Sequence, residues 1–128
     1  MGTEATNGRG IKSADRVFDI IKILFETDGM TTSELAEELN LATSTTHEYL
    51  KTCERREYVV KNPDGTYTLS LKFLDLGEMV RQLSPVYKTA QKPLARIADK
   101  TGEVAWLYTE EYGYAVPMDV ERGQQGVQ

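Results

Sequence analysis

Thr31-Thr32-Ser33-Glu34-Leu35-Ala36-Glu37-Glu38-Leu39-Asn40-Leu41-Ala42-Thr43-Ser44-Thr45-Thr46-His47 is the stretch that decides the fold. Its opening is a capping box: Thr31 can accept from the third helical N–H, and Glu34 can reach back to the Thr31 N–H. Met30 and Leu35 flank the box at hydrophobic-staple positions. Leu35, Ala36 and Leu39 give the short helix one apolar side. Asn40 suits the left-handed residue that closes a helix. Either Thr43 or Ser44 can then cap a third helix running to about Arg56. A short helix, a tight turn and a second helix opening on hydroxyl residues is the helix-turn-helix layout.

Upstream, Ser13 is positioned to cap a first helix. Val17, Ile20, Ile21 and Leu24 then recur at one helical face, and Asp28-Gly29 closes the element. Phe18 and Phe25 widen the apolar stripe, enough for a core on one side and a second subunit on the other. Residues 1–10 are rich in Gly and polar residues and read as a flexible arm. Downstream, Tyr58-Val59-Val60 and Thr66-Tyr67-Thr68-Leu69 are β-type runs around the turn signal Asn62-Pro63-Asp64-Gly65. A hairpin at 58–69, directly after the third helix, is a wing. Alternation through Leu71 and Phe73 lets it run slightly past Leu69.

From Phe73 the spacing becomes helical: Phe73, Leu76, Val80 and Leu83, ended by Ser84-Pro85. This helix packs either on another chain or on its own domain. The next helix carries Val86, Ala90, Leu94, Ile97 and Ala98 on one side, with Pro93 expected to kink or restart it. Val104–Tyr108 and Tyr114–Val120 read as strands around a turn at Glu110–Gly113. Two strands and a helix do not close a core by themselves, so an exposed apolar sheet face is expected.

The reading is therefore mainly α with a small β-hairpin wing (a winged helix-turn-helix), followed by a linker helix and a truncated α/β segment. Its boundaries are an arm at 1–10, the winged helix-turn-helix at 11–70, a linker or dimerisation helix at 71–84, the partial α/β segment at 85–122 and a disordered tail at 123–128.

Composition narrows the function. The chain has 128 residues and a net charge of −5. Residues 11–77 hold eight Lys and Arg against twelve Asp and Glu, which by itself opposes phosphate binding. Distribution offsets this, because Lys51, Arg55, Arg56 and Lys61 cluster after the third helix's first turns. Short polar groups at a helix N-terminus can meet phosphates and base edges. The DNA-contacting candidates are accordingly Thr43, Ser44, Thr45, Thr46, His47, Lys51 and Lys61. An ordinary capping role for the hydroxyl residues is the simpler alternative. The dimer candidates are Val17, Ile21, Phe73, Leu76, Val80 and Leu83.

An enzyme is not expected. His47 and Cys53, the candidates for nucleophilic or metal chemistry, lie six residues apart, roughly 240° around a helix. No metal-ligand spacing or Gly-rich phosphate loop occurs, so no cofactor and no metal is expected. One cysteine and no apolar run of about 20 residues fit a cytoplasmic protein without a membrane segment.

Lys12-Ser13-Ala14-Asp15-Arg16-Val17, Thr32–Ala36, Leu41–His47, Glu54–Val59, Tyr67-Thr68-Leu69 and Leu74–Gly77 together resemble the N-terminal half of an IclR-type transcriptional regulator. Leu94–Ala98 and Thr101-Gly102-Glu103 resemble the start of that family's effector domain. The resemblance implies a homodimer on a palindromic double-stranded DNA operator, with the helix at about 43–56 in the major groove. It departs from the family at four places. Ala42-Thr43 replaces the usual Pro-Lys, Glu48 a common Arg, Cys53 a leucine and Glu57 the glycine before the wing tyrosine. The effector segment is much shorter than the family's, so small-molecule sensing is not expected of it. A winged-helix protein-interaction module without DNA binding is the alternative, supported by the negative balance and Glu48.

Overall fold

The computed structural model describes residues 9–123, so most of the expected arm and tail lies outside the described residues. Nine elements follow in order: α1 (Lys12–Phe25), α2 (Thr32–Leu39), α3 (Thr43–Arg55), β1 (Val59–Lys61), β2 (Tyr67–Leu69), α4 (Lys72–Leu83), α5 (Pro85–Thr101), β3 (Val104–Glu111) and β4 (Tyr114–Arg122). They divide into two compact units, one running to Leu74 and one starting at Asp75.

The first unit is built around Ile20 and Leu24 of α1, Leu35 and Leu39 of α2, Leu50 and Cys53 of α3, and Val59 and Tyr67 of the wing. Each fully buried aliphatic side chain contributes about 1.5–3 kcal/mol of transfer free energy. The Thr31 hydroxyl accepts from the Glu34 N–H at 3.2 Å, and Glu34 Oε1 accepts from the Thr31 N–H at 2.9 Å. Asn40 closes α2 at φ 55°, in the left-handed region. Ser13 does not cap α1: the cap position is Ile11, and Ser13 lies inside the first turn. The cap position of α3 is likewise Ala42, ahead of both Thr43 and Ser44.

β1 and β2 pair antiparallel, Val59 opposite Leu69 and Lys61 opposite Tyr67. Met30 adds a bridge to the free side of β2, exchanging hydrogen bonds with Tyr67 at 3.2 and 2.7 Å. The segment before α2 thus pins the wing to the helix-turn-helix. The wing stops at Leu69 rather than running on through Phe73. The Ser70 hydroxyl donates to the Glu57 carbonyl at 2.6 Å and accepts from the Lys72 N–H, so it starts α4. Glu57 has φ 72°, in the left-handed region that favours glycine.

In the second unit, α5 begins with Ser84 accepting from the Tyr87 N–H and with Pro85 in the first turn. It is one continuous helix through Pro93. Pro93 lies on the exposed side, where water can take the carbonyl it releases. Tyr87 and Ala98 are its buried residues; Val86 and Ile97, expected inward, are exposed. Periodicity identifies a helix face only to within one residue's rotation, about 100°. β3 and β4 form a hairpin joined by Tyr112-Gly113, both at positive φ as a tight type I′ turn requires.

One hairpin face packs on α5. Asp119 on that face is nearly buried and lies 3.8 Å from Arg81 Nη1. Its hydrogen bond to Glu121 holds the Glu121 carboxyl above the ordinary range. Gly123, placed in the tail by the sequence reading, is buried against α5, and a Cβ there would collide with the Ala98 carbonyl. The other hairpin face leaves Val104, Trp106 and Tyr108 exposed, with Trp106 and Tyr108 stacked at 5.9 Å.

Candidate nucleic-acid interface

α3 is held by one side and open on the other. Thr46, Leu50 and Cys53 are buried in the first unit, while Thr43, Ser44, Thr45, His47 and Glu48 are exposed at its start. No side chain caps the helix, so its first-turn N–H groups remain available to an anion.

Thr46 is the correction within this group. It is fully buried, and its hydroxyl donates to the Ala42 carbonyl at 3.0 Å. It belongs to the turn and the core, and it cannot reach a base edge. Lys51 is exposed but engaged, with its Nζ 3.0 Å from Glu54 Oε1. The hydrogen bond to Glu54, and then its charge, holds the Lys51 ammonium above its ordinary range. Lys61 is exposed at the end of β1. Arg55 and Arg56 are exposed at the far end of α3.

The wing tip is organised by side chains. Asn62 donates to Thr66 and Thr68 at 3.2 Å each, and Asp64 Oδ1 accepts from the Thr66 hydroxyl at 2.7 Å. The Thr66 hydroxyl and then its N–H hold the Asp64 carboxyl below the ordinary range. At the wing base, Lys72 Nζ lies 4.9 Å from the centre of the Tyr58 ring, and Phe73 meets that ring edge-on at 5.5 Å.

That contact revises the assembly residues as well. Phe73 is half-buried against Tyr58, and Val17 packs on the core; both serve their own unit. Leu76, Val80 and Leu83 are exposed along α4. At the cap and along α1 the exposed apolar residues are Ile11, Phe18 and Phe25, with Ala14 and the half-buried Ile21 between them. These alternate by three and four residues, as a helix–helix seam does. Spacing alone could have separated this seam from the core stripe, since Phe18 and Phe25 are a heptad apart. Cys53 is buried, and burial pushes its thiol up, which makes it a small core residue. Among the described residues, no cluster of His, Cys, Asp and Glu suits a metal ion, and no helix is long and apolar enough to cross a membrane.

A three-helix unit with a β-hairpin wing and a projecting polar helix defines the winged helix-turn-helix class. Residues 13–63 match the IclR helix-turn-helix domain, so the first unit carries a helix-turn-helix of the IclR type. The chain is similar to a probable HTH-type transcriptional regulator, ArcR, of Halobacterium salinarum, at 30% identity over 99% of the chain and 49% of that protein. It also aligns with the crystal structure of HmgR from Pseudomonas aeruginosa, at 28% identity and a TM-score of 0.66, covering 91% of this chain and 51% of the other. An IclR family regulator from Brucella abortus shares the fold at a TM-score of 0.74 and 19% identity, over 99% of this chain and 49% of that one. The chain spans about half the length of the curated relatives it matches.

Proposed function

We propose that this chain is a sequence-specific DNA-binding transcriptional regulator that acts as a homodimer on a double-stranded operator. α3 enters the major groove, and the β1–β2 wing lies along the backbone. The observation that carries this reading is the polar start of α3, where Ser44, Thr45 and His47 stand exposed while Thr46 anchors the same turn from inside. Short side chains there can reach base edges, and the uncapped N–H groups can take a phosphate. Lys61 supplies a backbone contact from the wing.

Two subunits meet through the Ile11–Phe25 seam of α1 and through Leu76, Val80 and Leu83 of α4, all apolar and largely open to solvent. A two-fold dimer presents two recognition helices to a palindrome. Selection of binding sites from a random duplex pool, alongside sedimentation velocity, tests both parts. A palindromic consensus bound by a two-chain species is expected. A chain that enriches no sequence would instead support the protein-interaction alternative.

A further inference from the structure

α5 carries a ridge of cations that the DNA-reading unit lacks. Lys88, Lys92, Arg96 and Lys100 recur every four residues and are all exposed. Tyr87 and Ala98, the buried residues, lie on the opposite side of the helix, toward the β3–β4 hairpin. Each four-residue step advances about 6 Å, so the ridge is about 18 Å long. Among the described residues, no ion pair engages any of the four cations. In the first unit Lys22, Lys51 and Lys72 are paired with carboxylates, and the exposed Arg55, Arg56 and Lys61 form no comparable row. Asp99 is the one acidic residue of α5 and leaves the helix strongly positive.

We propose that this α5 ridge is a second nucleic-acid contact, taking the phosphate backbone without reading sequence. The proposal rests on the DNA-binding reading above and adds a surface to it. A row of cations about 18 Å long is enough to meet several backbone phosphates of a duplex. Lysines, three of the four, are mobile point charges that suit a backbone rather than a base edge. An acidic face from a second copy fits less well. The exposed acidic cluster of α2, Glu34, Glu37 and Glu38, spans about 6 Å, and Glu34 is already committed to its capping box.

The test uses the full chain and a fluorescent duplex of mixed sequence, with anisotropy measured across a salt series. In the ridge variant, Lys88, Lys92, Arg96 and Lys100 are all changed to Gln. Because the four side chains are exposed, its melting temperature should match the wild type. Its slope of log affinity against log salt should be shallower by roughly 2–3 for each chain bound, at about 0.9 per phosphate released. Its preferred sequence should not change. The pair Lys92→Gln with Arg96→Gln should lose about half as much slope, which guards against a folding defect in the fourfold variant.

An unchanged slope in both variants overturns the ridge. If Thr45→Ala with His47→Ala still abolishes sequence preference in that case, the α3 reading stands alone. Wild-type protein that binds no duplex at any salt overturns both. Ridge-dependent binding of fluorescent polyglutamate, without duplex binding, would assign the ridge to an acidic protein instead.

Discussion

The two units treat their apolar surface in opposite ways. The first closes: residues from α1, α2, α3 and the wing converge on one cluster, and Ile20, Leu35 and Leu50 have no exposed surface. The second stays open: Tyr87 and Ala98 are its buried apolar residues, while Trp106 and Tyr108 remain more than half exposed. The physical difference is the number of layers. Three helices and a hairpin surround a centre, whereas one sheet face against a helix leaves the opposite face in water. The first unit can therefore hold short side chains rigidly against a duplex. The second offers surface charge and an uncovered aromatic face.

The largest expected effect breaks or keeps this contrast directly. Leu50→Ala should cost about 2–5 kcal/mol, because it empties a fully buried site. Trp106→Ala, already half in water, should cost less than about 1 kcal/mol. Urea denaturation of each variant measures both, and equal losses would mean that the aromatic face is covered in solution. Next in size is the recognition helix. Thr45→Ala and His47→Ala should each cost about 1–3 kcal/mol of discrimination between bases. Thr46→Val should leave the preferred sequence unchanged while altering stability. A changed consensus in Thr46→Val would show that α3 is rotated from the orientation described.

Smaller effects sharpen the account of the first unit. Thr31→Ala removes the acceptor for the Glu34 N–H and should cost about 1 kcal/mol, read from the urea midpoint. Glu57→Gly should stabilise by about 0.5–1 kcal/mol, since it relieves a left-handed residue. A loss there would mean that the Glu57–Lys72 contact, at 3.7 Å, outweighs the backbone.

The smallest effect concerns the wing tip. Thr66 lowers the Asp64 carboxyl from 3.8, so its contribution is present above that value. It is lost as pH falls through the depressed one. The melting-temperature difference between wild type and Asp64→Asn should shrink on acidification below about pH 4. A difference that grows in acid would reverse the sign of the Thr66 interaction.

Local chemistry was legible from residue types at fixed offsets. The Thr31–Glu34 box, the left-handed Asn40 and the Asn62–Gly65 turn each depend on neighbours within a few positions, and each forms as read. The family resemblance at 13–63 rests on the same local pattern. Other features depended on partners distant in sequence. Thr45 and Thr46 are identical residues side by side, and they differ only in which way the core turns α3. Lys51 looks like a DNA contact until Glu54 engages it. The bridge from Met30 to Tyr67 joins residues 37 positions apart, beyond the reach of any local signal.

By itself, then, the amino-acid order determined the capped start of α2, the turns and the winged helix-turn-helix class, because a capping box and turn residues act over a single turn of backbone. Only the tertiary structure decided that Thr46, Val17 and Phe73 serve their own unit, and that the free cations of α5 line up away from its sheet. Burial is settled by the rotation of each helix against its neighbours, and that rotation is the summed outcome of contacts between residues far apart in the chain.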